Sequence, residues 1–315
     1  MTVHVEFDDS KISRLGIGCS NFGKRCDADA AADVVRTALD MGVNFFDVAD
    51  VYGNGTAESL LARGLGGRRD EAIIATKFGH ATKEPREPHE RGGHPRNVIA
   101  SAEASLRALR TDYIDLYQIH EPDPTVPIAE TLGALRTLVE QGKVRWAGCS
   151  NFSLDQLTEA TDAADGLGFE GFRTVQNEYS LLVRDAENDV LPYCRDNGMG
   201  FIPYFPLASG VLTGKYRKDQ RVPSGTRVAR MKPDKLFRFF TPAALDLVEK
   251  LAEFGAEHSH DVLVLAFGLH MAEPAVLSVI AGAMSGDQVR TNAAAVEAAA
   301  KLDDDAVAFV RGLPW

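Results

Sequence analysis

Cysteine, uninterrupted apolar runs and basic charge are all scarce in this sequence of 315 residues. The four cysteines are scattered without a C-x-x-C pair, which fits reduced thiols better than a disulfide or zinc framework. No segment approaches the roughly 18 consecutive apolar residues of a membrane span, so we expect no membrane partner. The formal net charge of -11 argues against a general nucleic-acid binder.

The composition is that of an ordinary globular protein, with 45% hydrophobic and 25% charged residues. The hydrophobic residues are numerous enough to form a large core. The first ten residues, MTVHVEFDDS, are too acidic and too poor in apolar residues for a signal peptide. Together with the scattered cysteines, this predicts a cytoplasmic protein. No linker or low-complexity tract interrupts the chain, so residues 1–315 are predicted to form a single domain.

Short apolar runs alternate with helical patterns along the whole chain. Eight of these runs are predicted to be buried parallel strands, namely LGIGC (15–19), VNFF (43–46), AIIAT (72–76), YIDLYQI (113–119), VRWAGC (144–149), RTVQ (173–176), MGFIPY (199–204) and LSVIA (277–281). The clearest helical pattern covers residues 128–143, with a stop signal at Gly142. Eight strand–helix units predict an α/β fold of the (β/α)8 TIM-barrel type, preceded by an N-terminal β-hairpin that turns at residues 8–10.

An open dinucleotide-binding sheet is the alternative arrangement. It requires a G-x-G-x-x-G turn between the first strand and the first helix. Gly16 and Gly18 lie inside the first predicted strand, and the third glycine is missing. The barrel is therefore favoured.

Polar residues end three consecutive predicted strands, where barrels of this kind carry their active sites. These residues are Asp47 with Tyr52 five positions later, Lys77, and His120. A tyrosine with a pKa of about 10 needs a nearby ammonium before it can give up its proton readily. We expect Lys77 to supply that charge, Asp47 to hold Lys77, and His120 to orient a substrate oxygen. Such a set suits protonation of the alkoxide that forms when a cofactor delivers hydride to a carbonyl group.

Six stretches along the chain resemble the aldo-keto reductase superfamily, namely GVNFFDVADVYGNGTAES, IIATKFG, DYIDLYQIHEPDP, GCSNF, VQNEYSLL and FPLASGVLTGKY. The resemblance implies an NAD(P)H-dependent oxidoreductase that reduces an aldehyde or ketone, sugar-like or aromatic, to an alcohol. It implies Tyr52 as the general acid, with Asp47, Lys77 and His120 as its partners, and no metal. The alternative is a cofactor-sensing binding subunit with little turnover, because relatives of these reductases associate with channels.

The same resemblance implies three groups of cofactor contacts. Those at the nicotinamide are Ser150, Asn151 and Gln176, with Tyr179 stacked on the ring. Those over the pyrophosphate are Phe205, Leu207, Ser209, Leu212 and Lys215. Those around the adenosine phosphate are Gly282, Met284, Ser285, Gln288 and Asn292.

Met284 stands where related sequences usually carry a basic residue that pairs with the 2′-phosphate of NADP. A methionine cannot make charge-assisted hydrogen bonds, and Arg290 is the candidate substitute. The resemblance favours NADPH, and Met284 leaves NADH open. Two further departures are Val48, in place of a small hydroxyl residue, and Ala281, in place of a proline.

Two loop segments complete the predictions. Residues 215–238 carry nine basic and two acidic side chains, a net +7, and are expected either to attract a pyrophosphate or to form a solvated loop. Residues 79–96 are rich in proline and glycine and are predicted to wall the substrate site. Their histidines, His80, His89 and His94, match no compact metal-ligand spacing. The sequence leaves the physiological substrate and the oligomeric state open.

Overall fold

The computed structural model describes residues 2–80, 87, 90–226, 228–230 and 238–314. An antiparallel hairpin opens the fold, in which β1 (His4–Phe7) pairs with β2 (Ser10–Ser13). Asp8 in its turn has a φ of 50°, a left-handed conformation that aspartate tolerates. The ring of Phe7 packs edge-on against Trp146 at 5.4 Å between centroids, so the hairpin covers the N-terminal end of the barrel.

Eight parallel strands form the barrel itself. They are β3 (Leu15–Gly18), β4 (Phe45–Asp47), β5 (Ile73–Phe78), β6 (Ile114–Ile119), β7 (Val144–Ser150), β8 (Phe172–Gln176), β9 (Gly200–Phe201) and β10 (Val279–Gly282). Each strand from β3 to β8 pairs with the next in chain order, and β10 pairs with β3. The N–H of Phe201 donates to Ala275 O at 2.7 Å and the N–H of Leu277 to Phe201 O at 2.8 Å, which closes the ring. The predicted (β/α)8 barrel with its hairpin is confirmed.

Helices cover the outside of the strands. They are α1 (Ala28–Asp40), α2 (Ala57–Leu65), α3 (Pro95–Leu109), α4 (Ile128–Glu140), α5 (Leu154–Leu167), α6 (Val190–Asp196), α7 (Pro242–His258), α8 (Val262–Met271), α9 (Gly286–Ala299) and α10 (Asp304–Gly312). Asp27 and Ser153 show why helices start where they do, because each side chain accepts the N–H three residues on. Among the helices that the structure describes, none is long and apolar enough to cross a membrane.

Three local differences from the sequence-based expectations have simple causes. The seventh barrel strand is shorter than residues 199–204, since Pro203 has no N–H to donate to a neighbouring strand. Cys19 starts a short 3-10 helix instead of ending a strand. The segment 79–96 runs into α3, which His94 caps by accepting the N–H of Arg96 at 3.2 Å. Residues 81–86, 88 and 89, His89 among them, lie outside the described residues.

Apolar side chains fill the barrel interior towards its N-terminal end. This inner cluster includes Ile12, Phe45, Leu116 and Trp146, all buried. Burying an aliphatic or aromatic side chain of this size stabilises the fold by about 1.5–3 kcal/mol. The hairpin closes this apolar end, so the opposite, C-terminal end of the strands is left to carry the buried polar groups.

Candidate active site

A buried ion pair joins the ends of β4 and β5. Lys77 Nζ lies 2.5 Å from Asp47 Oδ1, with the side chains 0% and 3% exposed. Lys77 also donates to Val48 O at 3.1 Å, so the position that departs from the family pattern contributes its backbone carbonyl. Desolvation alone would lower the pKa of Lys77, but the charge and hydrogen bonds of Asp47 and Tyr52 raise it above its ordinary value. The ammonium is therefore held charged in the interior.

Tyr52 reaches the same ion pair from the short turn after β4. Its ring centroid lies 5.1 Å from Lys77 Nζ. Burial raises the pKa of Tyr52, the ammonium of Lys77 opposes that shift, and the net effect is upward. The turn depends on Gly53, whose φ is 60° and where a Cβ would lie 2.3 Å from Phe22 O. Tyr52 is therefore a neutral phenol that retains a proton to give, beside a cation that would stabilise its phenolate.

His120 follows β6 and faces Tyr52, with ring centroids 5.8 Å apart at 80°. Burial, helped by the charge of Lys77 and by His80, lowers the pKa of His120 to about 2. The imidazole is therefore neutral at physiological pH. Its Nδ1 has no hydrogen-bond partner among the described residues. A neutral imidazole in this position can hydrogen-bond a carbonyl oxygen held between it and Tyr52.

The ends of β7 and β8 continue this polar rim. Ser150 Oγ donates to Gln176 O at 2.8 Å, and Gln176 Nε2 donates to Asp47 Oδ1 at 2.8 Å. Asn151, at a φ of 63°, donates from Nδ2 to His120 O at 3.0 Å. The three residues predicted to hold the nicotinamide amide are thus brought together with the predicted catalytic group.

Tyr179, predicted to stack on the nicotinamide, is not brought to this rim. It is 2% exposed, its hydroxyl donates to Glu187 Oε1 at 2.6 Å, and its ring packs edge-on against His270 at 5.2 Å. Tyr204 lies at the rim instead, where its hydroxyl donates to Asn151 Oδ1 at 2.8 Å. Tyr204 is the last residue of the predicted strand 199–204, so its position at a strand end was the signal that could have found it.

The loop after β9 has an unusual backbone, in which Phe205, Ala208, Ser209 and Gly210 all have positive φ, between 45° and 94°. The N–H groups of Ala208 and Gly210 donate within the loop, to Phe205 O and Leu207 O. A Cβ on Gly210 would lie 3.2 Å from Lys215 Nζ, so the ammonium rests directly against this loop. The positive charge of Lys215 suits an anionic ligand at this loop.

The other predicted residues of this loop take different positions. Phe205 is 36% exposed, Leu207 is half-buried and Leu212 is buried in the core beneath. Leu207 shapes the loop through its carbonyl, which accepts the N–H of Gly210 at 2.7 Å. Phe205 is thus the large apolar side chain that this loop offers to a ligand.

Much of the basic segment 215–238 is already paired. Arg217 pairs with Glu249, Lys218 with Asp246, and Arg238 with Glu178. Arg227, Lys232 and Lys235 lie outside the described residues. No ion pair of the described residues involves Lys215, and its ammonium lies against the loop after β9, so it can meet an anionic ligand there.

The predicted adenosine segment joins β10 to α9. Ser285 Oγ accepts the N–H of Gln288 at 3.4 Å, and Gln288 Oε1 accepts the N–H of Met284 at 2.9 Å. Met284 is 37% exposed, and Asn292 is 7% exposed, facing inwards from α9. Gly282 ends β10 beside Asn21, whose Nδ2 would lie 3.3 Å from a Cβ at that position.

Residues 14–313 match the model of the aldo/keto reductase family. The chain belongs to the aldo/keto reductase family. The match begins just after the hairpin and covers the whole barrel and the C-terminal helices. It supports an oxidoreductase acting on small carbonyl compounds.

Individual family members agree with this assignment over most of their length. An uncharacterized oxidoreductase of Bacillus subtilis is 36% identical over 91% of this chain and 88% of its own. A probable voltage-gated potassium channel subunit beta of Arabidopsis thaliana is also 36% identical over 91% of this chain and 88% of its own. The solved holo form of an aldo-keto reductase from Bacillus halodurans superposes with a TM-score of 0.80 at 27% identity, covering 99% of this chain and 96% of that one.

Proposed function

We propose that this protein interconverts an aldehyde or ketone and its alcohol, with NADH or NADPH as the hydride carrier. The observation that supports this most strongly is the convergence of Asp47, Tyr52, Lys77 and His120 at the ends of three consecutive strands. Sugar-like and aromatic carbonyl compounds are the substrate classes that the family resemblance suggests. The nicotinamide supplies the hydride when it is bound.

The protein's own contribution is to hold the carbonyl oxygen and to deliver a proton. Tyr52 and His120 face each other at 5.8 Å between rings and would bind one oxygen from two sides. As negative charge develops on that oxygen, Tyr52 gives up its phenolic proton, and the ammonium of Lys77 stabilises the phenolate left behind. Asp47 keeps Lys77 charged and in place.

Groups suited to the cofactor extend from this centre along the rim. Ser150, Asn151 and Gln176 lie beside the catalytic group and suit the nicotinamide amide. Tyr204 offers an aromatic face there, whereas the buried position of Tyr179 argues against its stacking role. Lys215 against the loop after β9 suits the pyrophosphate. These contacts would orient the cofactor across the barrel mouth.

A cofactor-sensing binding subunit is the second candidate, favoured by the 36% identity to a probable channel subunit beta. Such a subunit would bind the nucleotide without appreciable turnover. Turnover of simple aldehydes by the purified protein would favour the reductase, whereas nucleotide binding without turnover, with a stable membrane-protein partner, would favour the subunit.

Replacing Tyr52 tests the reductase directly. In Tyr52→Phe the proton donor is lost while the ring remains, so kcat should fall by about 10²–10⁴-fold. Binding of NADH and NADPH, measured by fluorescence titration, should be unchanged. Tyr193→Phe is the matched control, because the Tyr193 hydroxyl bonds Thr161 outside the barrel mouth. Near-normal turnover of Tyr52→Phe would refute the assignment.

A further inference from the structure

The start of α9 lies where the 2′-phosphate of NADPH would bind, if the function proposed above is correct. Barrels of this class often bind phosphate with the loops after the seventh and eighth strands and a helix N-terminus. The loop after β9, the seventh barrel strand, suits the pyrophosphate. The adenosine half of the cofactor would therefore extend over β10, the eighth, towards the N-terminus of α9.

The first N–H groups of this helix region are already used by the protein. The N–H of Gly286 donates to Asp33 Oδ2 on α1 at 2.7 Å. The N–H groups of Met284 and Gln288 are taken by Gln288 Oε1 and Ser285 Oγ. A helix N-terminus normally attracts anions, but here a carboxylate of the protein already occupies part of it.

Positive charge is missing at the same place. Arg290 is the single basic residue in the sequence from Gly282 to Asn292. It pairs with Asp287 at 2.8 Å, one turn earlier in the helix, instead of pointing its charge at the loop. Met284, 37% exposed, offers an apolar surface there.

We propose that Asp33 and Met284 make this site select NADH over NADPH. Asp33 Oδ2 is bound to the Gly286 N–H, and Oδ1 has no partner among the described residues. A carboxylate in this position can accept a hydrogen bond from the adenosine 2′-hydroxyl of NADH and repels a phosphate, as an acidic residue does beside the ribose in other nucleotide sites. The apolar Met284 adds no charge that would compensate for that repulsion.

Direct binding measurements test the proposal without relying on turnover. Titration of the wild-type protein should give a Kd for NADH at least about tenfold below that for NADPH, the effect of one missing charge-assisted hydrogen bond. Met284→Arg alone should tighten NADPH binding by about tenfold or more and leave NADH binding nearly unchanged. Adding Asp33→Asn should tighten NADPH binding further and weaken NADH binding, because the amide has one acceptor oxygen where the carboxylate has two. Asp29→Asn is the matched control, because Asp29 lies on the same helix α1 but pairs with Arg63.

The outcomes separate this inference from the function on which it rests. If neither nucleotide binds, the proposed function fails. If both bind and NADPH binds more tightly to the wild type, only the selection of NADH is wrong. The variant Lys24→Ala/Arg25→Ala would then show whether the loop after β3, whose Cys26 Sγ lies 3.8 Å from Ala283 O, supplies the phosphate contact.

Discussion

The rim above β4 to β6 and the rim above β9 and β10 are built in different ways. In the first, functional side chains extend from strand ends and are fixed by buried contacts, as in the 2.5 Å pair of Lys77 and Asp47. In the second, the candidate ligand contacts lie in loops, of which the one after β9 has left-handed backbone, and large side chains such as Phe205 and Met284 are more than a third exposed. The candidate catalytic side chains are therefore fixed by the strands of the barrel, whereas the residues that would select the ligand lie in loops.

The largest expected effect of this contrast is on stability. Asp47→Asn removes the counter-charge of a fully buried ammonium, so the free energy of unfolding should fall by about 3–5 kcal/mol. Urea denaturation measures it. The control is Arg63→Ala, which breaks an ion pair whose side chains are 59% and 91% exposed and should cost no more than about 1 kcal/mol. Equal losses in the two variants would mean that the interior does not hold Lys77 as a charged group.

A second expected effect concerns pH, because each rim covers a buried histidine. Burial lowers the pKa of His120 to about 2 and that of His270, which lies beneath the loop after β9, to about 3. The unfolded chain takes up these protons below pH of about 6.5 while the folded chain does not, so stability is present above that pH and is lost as the pH falls. Each histidine should therefore lower the free energy of unfolding by about 2 kcal/mol between pH 7 and pH 5.

The variant His270→Asn isolates one of these two contributions. Its loss of unfolding free energy from pH 7 to pH 5 should be smaller than that of the wild type by about 2 kcal/mol. The substitution also alters packing, but it does so at both pH values. The difference in unfolding free energy between pH 7 and pH 5 therefore reports the titration of His270. The control for the substitution itself is His4→Asn, at an exposed imidazole. An unchanged slope in His270→Asn would mean that His270 takes up its proton without unfolding.

A third effect decides which tyrosine faces the cofactor. Tyr204→Ala should weaken nucleotide binding by about tenfold through lost stacking. Tyr179→Phe should leave binding unchanged and lower the free energy of unfolding by about 1 kcal/mol, because it loses the hydrogen bond to Glu187. Calorimetric titration and urea denaturation measure the two quantities. The reverse pattern would restore the sequence-based assignment of Tyr179.

Strand-end residues were accessible from sequence because parallel strands bring their carboxyl ends to one rim. Asp47, Lys77 and His120 each end or follow an apolar run, so the alternating strand–helix pattern alone groups them. Tyr179 and Tyr204 both lie near strand ends, and their different orientations depend on the path of each loop and on where each hydroxyl finds a partner.

No local sequence pattern indicated a functional role for Asp33. It is an exposed residue on α1. Its hydrogen bond with the N–H of Gly286 forms only because α1 and α9 lie side by side where the barrel closes. The sequence separation of the two residues is large, and neither belongs to a pattern with a fixed spacing. Contacts of this kind arise from tertiary packing and cannot be predicted from propensity or periodicity.

The smallest expected effect tests whether the basic segment 215–238 binds the cofactor through Lys215 or attracts it through its summed positive charge. Lys215→Met should raise the Kd for either nucleotide by about five- to tenfold and flatten the salt dependence of binding, with kcat nearly unchanged. Lys218→Met removes the same charge three residues later, from a side chain 52% exposed and paired with Asp246, and should change the Kd by less than about twofold. If both variants weaken binding equally, the segment attracts the cofactor through its summed charge, and the contact of Lys215 with the loop after β9 carries no special weight.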